Sequence, residues 1–173
     1  NTRAFTISSS PSEDFLMITT QKGVTPFKKF MKNLKPGETI TTSHPAGTFT
    51  LDESERAIFL AGGIGITPFR SIIKYAFDQK LKTSITLIYS NSDEDFLFKE
   101  ELGFWQKQLP NLKIIYHNSG KLGRLNLDSS APARASLIYY LAGPPKMVDD
   151  FAKMLLDLGV DETNIRYDRF DGY

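Results

Sequence analysis

The feature that most constrains this chain is an apolar run, Ala57-Ile58-Phe59-Leu60-Ala61, that passes directly into Gly62-Gly63-Ile64-Gly65-Ile66-Thr67-Pro68. Such a run suits a strand buried on both faces of a parallel sheet. Thr67 reads as an N-cap and Pro68 as the first residue of a helix over 68–79. Glycines just ahead of a helix start let the backbone approach a ligand and aim free N–H groups at it. With the helix dipole, that makes an anion site suited to a pyrophosphate. The same glycines also suit a tight turn needing positive φ at only one of them. The turn is not a G-x-G-x-x-G fingerprint, because Pro68 stands in place of the third glycine, and no Gly-Lys-Ser/Thr follows to make a Walker A loop. Its position at the end of the first strand of an α/β unit is where a dinucleotide binds.

Downstream, strands and helices alternate. Strands are expected at 57–61, 84–90, 112–116, 137–142 and near 165–167, with helices at 68–79, 98–108 and 145–158. The last helix lines Met147, Phe151, Met154, Leu155 and Leu158 along one face, a core stripe. This alternation predicts an α/β domain over 54–173, a parallel sheet with helices on both faces. Residues 1–53 follow another regime. Alternating or Thr/Ile-rich segments at 4–9, 15–20 and 38–43 read as short strands, separated by turn signals such as Lys35-Pro36-Gly37. One short helix, Pro26–Asn33, is expected there, with Thr25 as its N-cap.

Composition narrows the chemistry. The 173 residues are 40% hydrophobic and carry a net charge of +1, so no global field recruits nucleic acid or a membrane surface. Nothing approaches the roughly 20 apolar residues of a membrane span, and no signal peptide is evident, so a cytoplasmic location is expected. The chain has no cysteine, which excludes disulfides, iron–sulfur ligation and thiol nucleophiles within it. His44 and His117 are far apart in unrelated contexts, which argues against a zinc site or a histidine-based triad. No metal site is expected, and redox chemistry would fall to an organic cofactor.

Four separated motifs point one way: Arg3-Ala4-Phe5-Thr6 followed by Ile7-Ser8, Gly23-Val24-Thr25, the Gly-Gly-x-Gly-x-Thr-Pro turn, and Ala142-Gly143-Pro144-Pro145-Lys146-Met147. In that order and spacing the chain resembles the ferredoxin–NADP reductase family. Its closing Asp168-Arg169-Phe170-Asp171-Gly172-Tyr173 looks like the aromatic end of a bacterial-type branch. The resemblance implies an FAD-dependent NAD(P)H oxidoreductase that passes hydride to flavin and electrons on to a small acceptor or a protein such as ferredoxin or flavodoxin. It further implies that residues 1–53 are part of an antiparallel β-barrel flavin domain. The motif Arg-x-Phe-Thr normally falls on a middle barrel strand, so the preceding strands are expected to lie elsewhere, leaving open sheet edges here.

By that resemblance Arg3 pairs with the flavin phosphate, Phe5 lies against the isoalloxazine ring and Thr6 reaches its N5 region, with Ile7 and Ser8 alongside. Gly23, Val24 and Thr25 offer backbone N–H groups to the flavin phosphates. Gly62, Gly63, Gly65, Ile66, Thr67 and Pro68, with Ser90, Ala142, Gly143, Pro144, Pro145 and Met147, line the nicotinamide nucleotide. Ala142 stands where many relatives carry a cysteine beside the nicotinamide, which leaves room for the ring but no thiol. Phe170 and Tyr173 are candidates to cover the flavin face, and Asp168 reads as a solvated carboxylate, with a polar neighbour of that ring as the alternative.

The second parallel strand ends in Ser90-Asn91-Ser92-Asp93-Glu94-Asp95, without the arginine relatives often carry near Ser92. Acidic residues suit a ribose diol and repel a 2′-phosphate, so NADH is favoured over NADPH. Lys121 and Arg124 in a later loop offer positive charge in the other direction. The competing reading is a non-catalytic nucleotide-binding or electron-transfer subunit of a larger redox complex.

Overall fold

The structure is a computed structural model and describes residues 3–123 and 137–170. Five strands, β1 (Arg56–Gly62), β2 (Ile85–Asn91), β3 (Leu112–Asn118), β4 (Leu137–Gly143) and β5 (Ile165–Arg169), form one sheet in the order β3-β2-β1-β4-β5. Every pairing is parallel, with Ala57 opposite Ile85 on one side of β1 and Arg56 opposite Leu137 on the other. Central β4 reads Leu-Ile-Tyr-Tyr-Leu-Ala-Gly and is buried throughout, while edge strands β3 and β5 alternate buried and more exposed residues. A strand covered on both faces has no position at which a polar side chain could reach water.

Helices α2 (Ile66–Asp78) and α3 (Lys99–Gln108) cover one face, where Phe69, Ile73, Leu102 and Trp105 pack on Phe59, Leu87 and Tyr140. Beyond the short α4 (Ser119–Leu122), helix α5 (Pro145–Asp157) covers the other face, setting Val148, Phe151 and Leu155 against Leu60, Tyr139 and Leu141. The chain runs outward from β1 to β3, then returns to the far side of β1 as β4. Right-handed crossovers in opposite directions put their helices on opposite faces. Of the expected stripe, Phe151 and Leu155 are core together with Val148, and Met147 and Met154 pack against it partly buried; Leu158 lies one residue past the end of α5 and outside that cluster.

Helix α1 (Pro26–Asn33) has the expected bounds, and Thr25 Oγ1 accepts from the Lys28 N–H at 3.3 Å. The strands expected at 4–9, 15–20 and 38–43 do not form. Among the described residues of 3–55 the only pairing is one antiparallel bridge, Ile7 to Ile18. Alternation offers a face to bury, but a strand also needs a neighbour for its N–H and C=O groups, and 38–43 has none and lies exposed. The segment docks on the sheet domain instead. Phe49 packs between Phe69 and Tyr140, with ring centroids 5.7 and 5.5 Å away, and the Asp52 N–H donates to the Tyr140 hydroxyl at 2.8 Å. Among the described residues no helix is long and apolar enough to cross a membrane.

Candidate functional site at the carboxyl ends of the strands

Chain order reverses between β1 and β4, so their outgoing turns diverge and leave a crevice outside the sheet. From β1 the chain passes Gly62, makes a 3₁₀ turn over Gly63–Gly65 and enters α2 at Ile66. From β4 it passes Gly143 and enters α5 at Pro145. Neither helix start has a side-chain cap, so two positive dipole ends lie at the ends of β1 and β4. Helix α5 opens on Pro144-Pro145, which have no N–H, and its Met147 N–H and the Ile66 N–H of α2 are donated back to the Pro144 and Gly63 carbonyls.

The helix after the glycine turn begins two residues before the expected Pro68, and Thr67 is not its cap. The Thr67 hydroxyl donates to the Ile64 carbonyl at 3.1 Å, and Ile66, Thr67 and Pro68 are buried. They hold the turn from inside the core, which leaves half-buried Gly63 as the backbone of the turn that can meet a ligand. The glycines divide the work. A Cβ at Gly65 would run into the Ala142 carbonyl, and one at Gly62 into Met147 Sδ, so these glycines let the two strand ends pack together. Gly63 alone has positive φ, +51°, and an open face: the nearest atoms to its missing Cβ are Asn91 Oδ1 at 3.8 Å and Gln21 Nε2 at 3.9 Å. The tight turn with positive φ at one glycine is therefore observed at Gly63, where the backbone is also open on one side.

The N-terminal segment reaches the same region. Thr6 Oγ1 donates to Asp168 Oδ2 at 3.1 Å, and Asp168 lies opposite Ala142 in the β4–β5 register. Asp168 is not the solvated carboxylate expected. Burial raises its pKa above the ordinary aspartate range, and the Thr6 hydroxyl partly offsets that. Phe170 is 7% exposed, and its N–H donates to the Gly143 carbonyl at 3.0 Å. Tyr173 and Arg124 lie outside the described residues.

The remaining flavin-side candidates are dispersed. Arg3 is exposed, Phe5 stacks on Phe27 of α1 with centroids 5.5 Å apart, and Ile7 makes the bridge to Ile18. Ser8 is buried, its hydroxyl 3.1 Å from the Met17 carbonyl and 2.8 Å from Thr19 Oγ1. Gly23 and Val24 are exposed ahead of α1. Ser90 Oγ lies 3.2 Å from His117 Nδ1 across β2 and β3.

Arg70 had no signal in the sequence, because it follows Phe69 in an ordinary amphipathic pattern. It is 4% exposed on α2 and binds Glu13 through Nη1 and Nη2 at 2.5 and 3.0 Å, Glu101 through Nε and Nη2 at 3.0 and 2.7 Å, and the Ser8 carbonyl at 3.1 Å. Ser71 Oγ donates to the Ser9 carbonyl at 2.7 Å. Together they clamp residues 8–13 to α2, two residues beyond Thr6.

A doubly wound parallel sheet with uncapped helix starts at its switch point is a nucleotide-binding α/β domain. The chain belongs to the oxidoreductase NAD-binding domain family, whose model matches residues 59–153. It is 30% identical to one component of the Na(+)-translocating NADH-quinone reductase of Methylococcus capsulatus over 203 residues, covering 98% of this chain and 49% of that protein. It is 34% identical to NADH-cytochrome b5 reductase 1 of Mortierella alpina over 155 residues, covering 79% and 51%. The chain thus spans about half the length of the curated relatives it matches. Its fold is shared with ferredoxin-NADP+ reductase from Plasmodium falciparum, at TM-score 0.76 and 23% identity over 97% of this chain and 76% of that one. The flavohem-like FAD/NAD-binding domain of nitric oxide dioxygenase from Vibrio cholerae shares it too, at TM-score 0.77 and 21% identity over 97% and 76%.

Proposed function

We propose that this chain is the nicotinamide-binding part of an FAD-dependent oxidoreductase, in which NADH delivers hydride to the flavin and electrons pass on to a separate acceptor. The observation that carries this reading is the meeting of two uncapped helix starts with the Thr6–Asp168 pair outside the β1 and β4 ends. The open face of Gly63 and the uncapped start of α2 fit a pyrophosphate, with Gly143, Pro144, Pro145 and Met147 opposite. Residues 1–53 form the flavin-side part, with Arg3, Phe5, Thr6 and the Gly23–Thr25 turn as its contacts, and 54–173 the nucleotide part.

FAD, when bound, supplies the two-electron acceptor and divides electron pairs for one-electron partners. Thr6 is held by Asp168 at the seam of the two parts, so its oxygen is oriented before any ligand arrives. Burial makes Asp168 hold a proton more readily than an ordinary aspartate, while the Thr6 hydroxyl favours its charged form. Ala142, opposite Asp168, is wholly buried in the core, so its side chain supports this seam from beneath and does not open space for a ring. Phe170 and Tyr173 remain proposed cover for the flavin face. The acceptor is a protein such as ferredoxin or flavodoxin, or a small molecule, and a cytoplasmic location follows from the supply of NADH. Similarity to a component of a Na(+)-translocating reductase favours a second reading, in which the acceptor is a neighbouring protein of a larger complex.

The test is reconstitution with FAD followed by anaerobic mixing with NADH. Retained yellow flavin that bleaches on mixing is expected. A chain that stays colourless after reconstitution would sink the proposal.

A further inference from the structure

The N-terminal segment meets the sheet domain along a polar seam. Its residues 6–10 and 17–19 are tied into one small antiparallel unit. The Ile7–Ile18 bridge, the Ser8 N–H to the Met17 carbonyl at 2.8 Å and the Met17 N–H to Ser9 Oγ at 2.9 Å hold it together. The unit touches the sheet domain at two places. At one, Thr6 Oγ1 donates to Asp168 of β5. At the other, Arg70 Nη1 and Ser71 Oγ of α2 donate to the Ser8 and Ser9 carbonyls at 3.1 and 2.7 Å. Thr6 and Ser8 are separated by roughly 7 Å of extended chain at most, so a displacement at Ser8 reaches the Thr6 hydroxyl.

Arg70 is prepared for this contact by the sheet domain itself. Glu101 of α3 engages Nε and Nη2, and the Phe98 and Trp105 rings lie 5.6 and 5.4 Å from the guanidinium carbon. These partners set the plane of the fork, and its remaining donors go to Glu13 and the Ser8 carbonyl, so all five N–H groups are used. Adhesion alone asks for none of this. Apolar residues of similar volume hold two surfaces together as firmly as a buried ion pair, but they carry no directional donors. We propose that Arg70 is a positioning residue: by fixing Ser8 and Glu13 against α2 it sets where the Thr6 hydroxyl stands relative to Asp168 and to the turn at Gly63. Because α2 starts at that turn, one helix carries both the nucleotide turn and the anchor of the segment that bears Thr6. The meaning of this placement for hydride transfer rests on the function proposed above, whereas the placement itself is readable with no ligand bound.

An NMR titration of the Asp168 carboxyl carbon in the full chain tests this. The Thr6 hydroxyl favours the charged carboxyl, so Thr6→Val is expected to raise its titration midpoint. Arg70→Lys keeps a charge beside Glu13 but cannot serve Glu13, Glu101 and Ser8 together, and should raise the midpoint in the same direction. Thr6→Val/Arg70→Lys should go no further than Thr6→Val alone, because both changes act on one contact. Arg70→Met/Glu13→Leu separates position from stability: it removes the stranded charge, yet the Ser8 carbonyl still lacks its donor and the midpoint should still rise. A midpoint that stays at the wild-type value in Thr6→Val or in the Arg70 variants, or shifts that add in full, overturns the proposal. After FAD reconstitution, flavin reduction at saturating NADH should slow roughly tenfold or more in Arg70→Lys, and a wild-type rate there overturns the proposal too. A chain that stays colourless yet shows the titration pattern sinks the functional reading and supports the positioning, so the two fail separately.

Discussion

Arg70→Met removes the guanidinium on which the N-terminal segment, α2 and α3 meet, while methionine retains much of the apolar stem. Its partners respond differently. Glu101, with a side chain 43% exposed, regains water at little cost, whereas the Glu13 side chain is 9% exposed and keeps a carboxylate without its cation. Stranding one partner of a buried pair costs about 3–5 kcal/mol, and the Ser8 carbonyl also loses a donor. A loss of about 4 kcal/mol is therefore expected near neutral pH, a large share of the roughly 5–15 kcal/mol that holds a typical domain folded. The pH dependence carries a sign. Arg70 lowers the Glu13 pKa in the folded state, so the wild type draws stability from the pair above the ordinary glutamate value and loses it as pH falls through the lowered one. In the variant only the Ser10 N–H and the Lys74 charge are left to favour the charged carboxyl against its burial, so stability depends less on pH through this range. The gap between the two proteins should be widest near neutrality and narrow below about pH 4.3. Urea titrations read it directly through Trp105, the one tryptophan, whose ring centroid lies 5.4 Å from the Arg70 guanidinium carbon. Arg70→Met/Glu13→Leu should recover much of the loss, because replacing both partners removes the stranded charge. A loss below about 1 kcal/mol, the scale of a surface pair, or a gap that widens on acidification, would refute this account.

The glycines of the turn should separate on substitution. Gly63→Ala places a methyl in open space at a φ of +51°, so it is expected to fold with a loss of about 1–2 kcal/mol and weaker nucleotide binding by calorimetry. Gly65→Ala meets the Ala142 backbone and should lose roughly 3 kcal/mol or more in urea unfolding; equal losses at the two positions would contradict the division of roles. The adjacent tyrosines of β4 make a second contrast. The Tyr140 hydroxyl accepts from the Asp52 N–H and from Arg166 Nη1 at 2.8 and 3.1 Å, so Tyr140→Phe should cost about 1–3 kcal/mol. The buried Tyr139 hydroxyl has no hydrogen-bond partner among the described residues, and Tyr139→Phe should be neutral or stabilising in thermal unfolding.

The sheet domain was legible because its information is local. Ala57 to Ala61, Leu137 to Ala142 and the proline and threonine at the start of α1 each specify their own element through burial period and capping chemistry, and strand–helix alternation then dictates a parallel sheet. The glycine turn, too, announced a close approach of backbone to something. What it approaches was decided by the tertiary structure. Gly62 and Gly65 meet Met147 and Ala142, some 80 residues away, and only Gly63 faces the crevice. The N-terminal segments show the converse: their alternation promised strands, but strand formation depends on a partner for the backbone, which no local pattern supplies. The Thr6–Asp168 pair and the Arg70 clamp each join residues from distant parts of the chain, and nothing in the spacing of either partner hints at the other. Propensity and period are properties of neighbours in sequence. Burial of a charge, and therefore its partner and its pKa, is a property of neighbours in space, and it appears only once the sheet has brought them together.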